Sequence, residues 1–135
     1  MLESGSNRFP IQKIAVAIIC SNHRILVQNR EKGTHLEGLL EFPGGKVENG
    51  ETPLQPAIRE VNEEVGLILD PHVAWEIGQQ AYDYPGHRIH LYFLLFEMCN
   101  SLKSKKGNWV LAKNLNAYDF PPADQDVIGI LKTLL

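Results

Sequence analysis

Residues 45–67 read GKVENGETPLQPAIREVNEEVGL, and this stretch predicts a helix with a defined start and end. Thr52 suits the N-cap and Pro53 the first helical position, and Gln55 completes a capping-box pattern with Thr52. Gly66 suits the left-handed residue that commonly ends a helix. The sequence therefore predicts a helix that ends just before Gly66.

The predicted helix has two different faces. At about 100° per residue, Glu60, Glu63 and Glu64 stand at helical neighbour spacing and share one face. A separate apolar stripe consists of Leu54, Ala57, Ile58, Val61 and Val65. The stripe predicts packing against a sheet, which leaves the carboxylates together on the second face.

The crowded carboxylates repel one another, at a cost of roughly a few tenths of a kcal/mol per pair in an exposed helix. Arg59, four positions before Glu63, is one candidate to offset the repulsion, and a divalent cation with oxygen ligands is another. Glu51, just before the helix, can add a fourth carboxylate or cap the helix. For an acidic cluster taken alone, a solvated surface face is the alternative interpretation.

The rest of the chain predicts strands on both sides of this helix. Residues 13–20, KIAVAIIC, are β-branched and apolar, as in a strand that is buried on both faces. The other predicted elements are a strand at 24–30, a polar loop at 31–40, strands at 73–84 and 87–98 joined at Pro85 and Gly86, a short strand at 108–110 and an amphipathic helix at 122–134. This order predicts an α/β (α+β) fold with a mixed sheet flanked by helices. We expect a loose lead-in at residues 1–10 and a single domain at residues 11–135.

The length and charge of the chain limit the classes of function that the protein can have. The 135 residues fit one domain, and a net charge of −3 does not provide the basic face of a protein that holds long nucleic acid. The N-terminus lacks the pattern of a signal peptide, and no apolar stretch reaches the roughly 18 residues that span a bilayer. Cys20 and Cys99 are not spaced as a metal or redox pair. We expect a cytoplasmic protein, without a membrane partner, that is a monomer with reduced thiols.

The helical segment resembles the Nudix box, the signature of the Nudix hydrolase family. The family pattern is matched at every defined position, by Gly45, Glu51, Arg59, Glu60, Val61, Glu63, Glu64, Gly66 and Leu67. A chance match of the fixed positions is on the order of 10⁻⁹ per start point. The segments EFPGGK at 41–46 and DFPPA at 119–123 further resemble the bacterial MutT branch of that family. The resemblance implies a Nudix-type α/β/α sandwich with a mixed sheet between helices.

The resemblance also implies a magnesium site, with Mn²⁺ as a possible substitute. The implied ligands are Glu60, Glu63, Glu64 and the Gly44 carbonyl. Arg59 would orient the glutamates, and Glu51 would support the turn into the helix. Glu60 is our candidate for the general base, so the implied catalytic set is Glu60, Glu63, Arg59 and Glu51.

A base pocket is implied in the same way. The substrate contacts carried over from the MutT branch are Arg30, Phe42, Tyr84, His87, Arg88 and Asp124. Phe42 can equally be an ordinary core aromatic, Tyr84 a turn-packing residue and Arg30 a solvated strand end. His23, His35 and His72 lie in or near predicted turns and are expected at the surface.

Two departures from the MutT pattern bear on the substrate. Asp124 stands where an Asn is usual, and a carboxylate repels the guanine O6 unless it is protonated. The connector at 101–107, SLKSKKG, has lysines where that branch has a metal-linked Glu. These lysines form either a solvated loop or a set that approaches the substrate phosphates.

The implied activity is hydrolysis of 8-oxo-dGTP, or a related oxidised purine nucleotide, to the monophosphate and pyrophosphate, which removes it from the nucleotide pool. One alternative is a Nudix hydrolase of another substrate, such as a dNTP, a cytosine nucleotide, ADP-ribose or a dinucleoside polyphosphate. A more distant alternative is a non-catalytic nucleotide-binding module.

Overall fold

The computed structural model describes residues 10–98 and 104–135, which form a seven-stranded mixed sheet with helices packed against it. The strands are β1 (Ile11–Ser21), β2 (Arg24–Asn29), β3 (Leu40–Glu41), β4 (Gly44–Lys46), β5 (Ala74–Tyr84), β6 (His87–Met98) and β7 (Asn108–Leu111). The helices are α1 (Leu54–Val65) and α2 (Gln125–Leu134). Every strand and helix predicted from the sequence is present, which confirms the mixed-sheet architecture.

A long parallel pair forms the centre of the sheet. β1 and β6 run in register from Ile11 opposite Arg88 to Ser21 opposite Met98. β2 pairs antiparallel with the last residues of β1, and β4 pairs antiparallel with residues 14–16 of the same strand. β5 pairs antiparallel with β6. Because β4 leads directly into the loop before α1, the pairing of β4 with β1 fixes where the acidic helix begins.

Both faces of the sheet are buried. Val16, Ile18 and Cys20 point to the core that includes Val127, Ile128 and Leu131 of α2. Ala15, Ala17 and Ile19 point to the core that includes Ala57, Val61 and Val65 of α1. This alternation along β1 explains its unbroken apolar sequence and confirms that the strand is covered on both sides. Fully burying each large aliphatic side chain contributes about 1.5–3 kcal/mol to the free energy of unfolding.

Four boundaries differ from the sequence predictions. β3 and β4 lie in segments expected to be loop and turn, because pairing with β2 and β1 gives these short stretches partners that local sequence cannot reveal. The N-cap of α1 is Pro53 rather than Thr52, whose backbone N–H donates to Gln55 Oε1 over 2.8 Å. A 3₁₀ turn, Pro122–Asp124, precedes α2, which therefore begins later than expected.

The end of α1 follows the prediction. Gly66 has a φ of 75°, and its N–H donates to the Asn62 carbonyl over 3.1 Å. Cys20 is a buried free thiol, whereas Cys99 and residues 1–9 of the lead-in expected at 1–10 lie outside the described residues. Among the described residues, no helix is both long enough and apolar enough to cross a membrane.

Candidate active site

Two glycines bring the sheet and the acidic helix into contact. A Cβ atom on Gly44 would lie 2.1 Å from the Ala15 carbonyl oxygen. A Cβ atom on Gly45 would lie 2.4 Å from Cγ of Glu60. Both distances are far below van der Waals contact, so only glycine allows β4 to lie against β1 while the Glu60 side chain lies across it.

Arg59 links the loop before the helix to the acidic face. Its guanidinium donates to both oxygens of Glu51, at 2.5 and 3.4 Å, and its Nε lies 3.5 Å from Glu60 Oε2. The hydrogen bond from Arg59, followed by the one from the Glu48 backbone amide, lowers the pKa of Glu51. Arg59 therefore offsets charge at Glu51 and Glu60, rather than at Glu63 as its sequence spacing suggested.

Glu64, like Glu60, is a half-buried member of the acidic face. Gln28 Nε2 donates to its Oε1 over 2.9 Å, and a hydrogen bond from the Gly44 backbone also reaches the carboxylate. Burial raises the pKa of Glu64 to about 7, and the neighbouring charges of Glu41 and Glu60 add to the rise against the lowering effect of those hydrogen bonds. A cation beside this carboxylate would relieve both the repulsion and the desolvation.

The oxygen atoms on the acidic face are the kind of ligand that a hard divalent cation binds. Glu60, Glu63 and Glu64 offer oxygen ligands on one helical face, beside the backbone of Gly44, and Mg²⁺-type ions prefer oxygen. Among the described residues, no three His, Cys, Asp or Glu side chains are arranged closely enough to hold one ion. The side chains instead face Arg59 and Gln28, and Glu63 is exposed to solvent.

A cavity of about 380 Å³ lies on the other side of β4, and we call it the base cavity. Five of the six residues that the sequence analysis assigned to substrate line it: Arg30, Phe42, Tyr84, His87 and Asp124. The sixth, Arg88, is not in its lining, and its guanidinium pairs with Asp83 at 2.5 Å.

The walls of the base cavity are held by ring contacts and one ion pair. Phe42 is stacked on Phe120 with ring centroids 4.9 Å apart, so it is at once a core residue and part of the cavity lining. Tyr84 stacks on His87 with ring centroids 5.3 Å apart. Arg30 donates to Glu41 Oε1 over 2.8 Å, which fixes the guanidinium at the cavity wall.

Among the described residues that line the base cavity, Asp124 is the one buried carboxylate. It is 9% exposed, and among residues 10–98 and 104–135 no group donates a hydrogen bond to its carboxyl. Burial raises the pKa of Asp124 to about 7, with Glu41 adding to the rise and Arg30 opposing it. The carboxyl can therefore present either a proton donor or a charged acceptor to a ligand near neutral pH.

A second cavity of about 610 Å³, which we call the phosphate cavity, adjoins the first. Its lining includes Glu64, Gln28 and Lys106, and it shares Glu41, Phe42 and Gly44 with the base cavity. A ligand that extends from one cavity to the other therefore passes directly over β4 and beside the acidic helix.

Three contributors to these cavities were missed by the sequence analysis. Gln28 had a usable signal, because it stands two positions before Arg30 in the strand predicted at 24–30, where the two would share a face. Glu41 lines both cavities through its pairing opposite Gln28, which requires the strand register. His35, expected at the surface, is exposed but also lines the base cavity, where its ring meets Tyr84 edge-on at 4.8 Å.

Three carboxylates on one helical face, beside two adjoining cavities, form the candidate active site. The sequence profile of the NUDIX domain matches residues 14–129, and the chain belongs to the Nudix hydrolase family. Enzymes of this family act on phosphoanhydride bonds and generally need a divalent metal.

Known relatives place the chain with the MutT-type members. It is 40% identical over 127 residues to the 8-oxo-dGTP diphosphatase of Escherichia coli, covering 90% of this chain and 97% of that protein. The CTP pyrophosphohydrolase of Escherichia coli is 34% identical over 80 residues, or 59% of this chain and 58% of that protein. A solved MutT structure, from work on Aliivibrio salmonicida and Vibrio cholerae, matches with a TM-score of 0.72 and 25% identity over 92% of this chain and 98% of that one.

Proposed function

We propose that this Nudix hydrolase converts 8-oxo-dGTP, with Mg²⁺, to the nucleoside monophosphate and pyrophosphate. The observation that carries the proposal is the pair of adjoining cavities, one lined by aromatic rings and Asp124, the other by Glu64. The name of the Escherichia coli relative, matched over nearly its whole length, supports this choice of substrate. We further propose that the protein acts as a cytoplasmic monomer on free nucleotides.

The chemistry would be located on the acidic face of α1. Glu60, Glu63, Glu64 and the Gly44 carbonyl would hold the ion, which when bound neutralises phosphate charge and lowers the pKa of coordinated water. Arg59 and Glu51 would position Glu60, since Arg59 contacts both carboxylates. Glu60 is proposed as the general base that accepts a proton from the attacking water.

Asp124 would determine which nucleobase the enzyme prefers. A carboxylate there can accept a hydrogen bond from N7–H, which exists only in the 8-oxo form of guanine, and a carboxylic acid can donate to O6. Because burial raises the pKa of Asp124 to about 7, both protonation states are within reach at neutral pH. A protonated Asp124 would not repel the guanine O6, which supports an 8-oxoguanine nucleotide as the substrate.

A second candidate substrate is a cytosine nucleotide. An ionised Asp124 can accept a hydrogen bond from the cytosine amino group, the pairing that acidic side chains make with this base. The match to the Escherichia coli CTP pyrophosphohydrolase supports this alternative over a shorter part of the chain.

Pyrophosphate release from 8-oxo-dGTP, dGTP and CTP, measured side by side with Mg²⁺ and again with excess EDTA, tests the proposal. The expected result is a kcat/KM for 8-oxo-dGTP well above those of the other two nucleotides, with no turnover in EDTA. A preference for CTP would establish the second candidate. Turnover that persists in EDTA would contradict the proposed role of the acidic face.

A further inference from the structure

The short segment before β7 is held at two points. The Lys105 backbone N–H donates to the Val65 carbonyl at the end of α1 over 2.7 Å, and the Lys105 stem lies against Gly66. Two residues later, Gly107 has a φ of 90°, and a Cβ atom there would lie 2.9 Å from the Val27 carbonyl oxygen. Lys106 therefore stands between two fixed positions, which limits where its side chain can reach.

Lys106 lines the phosphate cavity, whereas Lys105 does not. The other charged residues in the lining of this cavity are Glu31, Glu41 and Glu64, so Lys106 is the only cationic side chain there among the described residues. No carboxylate within the described part of the chain is within ion-pair distance of Lys106. A lysine in a cleft of carboxylates, yet paired with none of them, is available to an anionic ligand.

The position of the cavity indicates which part of the ligand Lys106 meets. With a base in the base cavity, a nucleotide extends over Gly44 and Glu41, which line both cavities, and its phosphate chain enters the phosphate cavity beside Glu64. We propose that Lys106 binds the terminal phosphates of the nucleoside triphosphate. This inference rests on the proposed function, and it makes Lys106 a substrate-binding residue that the Nudix box does not contain.

Substitutions of the two adjacent lysines test the proposal. Lys106→Met removes the charge and keeps the length, Lys106→Arg keeps the charge, and Lys105→Met is the matched control one residue away. We expect Lys106→Met to raise KM for the triphosphate, and the inhibition constant of inorganic pyrophosphate, about tenfold each. Inhibition by the nucleoside monophosphate should stay unchanged, Lys106→Arg should restore most of the loss, and Lys105→Met should match the wild type.

Three results would overturn the proposal. The first is pyrophosphate inhibition of Lys106→Met within twofold of the wild type. The second is an equal loss in Lys105→Met, which would indicate only the general charge of the segment. The third is an equal weakening of monophosphate inhibition, which would indicate a structural effect on the whole site.

A failure of the Lys106 proposal can be distinguished from a failure of the proposed function. If 8-oxo-dGTP is not the preferred substrate, the same comparison is made with whichever nucleoside triphosphate the wild type hydrolyses. If the wild type hydrolyses none, the proposed function fails, and calorimetric titration of inorganic pyrophosphate with Mg²⁺ into the wild type and Lys106→Met still decides the role of Lys106.

Discussion

The acidic face of α1 and the base cavity are neighbouring regions that the chain builds in opposite ways. The acidic face comes from one contiguous stretch, in which helical spacing alone brings Glu60, Glu63 and Glu64 to one side. The base cavity takes Arg30 from the residue after β2 and Tyr84 from the end of β5, with further residues from distant segments. The residues proposed for the chemistry are therefore specified by local sequence, whereas those proposed for the choice of base are brought together by the topology of the sheet.

The two regions also differ in how they handle negative charge. On the acidic face, Arg59 and Gln28 donate to the carboxylates of Glu60 and Glu64. In the base cavity, Asp124 is buried, and among the described residues none donates to its carboxyl. Changes on the acidic face should therefore alter the rate for every substrate, and changes at Asp124 should alter the preference among substrates.

Glu63→Gln should have the largest effect on catalysis. A metal ion supplies several kcal/mol of transition-state stabilisation, so loss of one proposed ligand should lower kcat/KM roughly 10³-fold for every nucleotide. Steady-state kinetics with each nucleotide and titration with Mg²⁺ measure this. Glu97→Gln, the same chemical change at an exposed position outside both cavities, serves as the control. Undiminished turnover in Glu63→Gln would refute the assignment of the metal site.

Asp124 should make the stability of the free protein fall as pH rises. Its folded pKa of about 7 lies above the ordinary value of 3.8, so the folded state holds a proton that the unfolded state releases. The stabilisation is complete below the ordinary value and is lost as pH rises towards 7, by an amount on the order of 4 kcal/mol.

The Asp124→Asn variant isolates this effect from that of other groups, including Glu64. Urea unfolding of both proteins from pH 5 to pH 8 should show the variant gaining stability relative to the wild type across that range. A difference that does not change with pH would mean that Asp124 keeps an ordinary pKa in the folded protein.

Arg59→Ala should have a smaller effect, confined to the acidic face. Groups that orient a metal ligand typically contribute tenfold to a hundredfold to activity or metal affinity, so kcat/KM should fall by about that factor for all substrates. Arg59→Lys should recover only part of it, because a lysine cannot reproduce the two contacts with Glu51. Circular dichroism should show an unchanged fold, and a loss of helix would attribute the effect to stability instead.

The sequence could predict the elements and the acidic face because both follow from short-range periodicity. The β1 sequence of apolar residues predicted a strand covered on both sides, and Gly66 predicted the end of α1, as the structure confirms. The sequence could not predict β3 and β4, because these strands exist through pairing with distant partners. For the same reason, it missed Glu41, whose position depends on the strand register. It also could not say which lysine of the 101–107 connector lines the phosphate cavity, because that depends on the contact of Lys105 with α1.

Under the proposed function, the acidic face of α1 carries out hydrolysis and the base cavity selects the base. The most direct test is the ratio of kcat/KM for 8-oxo-dGTP to kcat/KM for dGTP, measured in the wild type, Glu63→Gln and Asp124→Asn. We predict that Glu63→Gln lowers both rates by the same factor and leaves the ratio unchanged, whereas Asp124→Asn changes the ratio. A changed ratio in Glu63→Gln, together with an unchanged ratio in Asp124→Asn, would contradict the claim that the acidic face sets the rate and the base cavity sets the substrate preference.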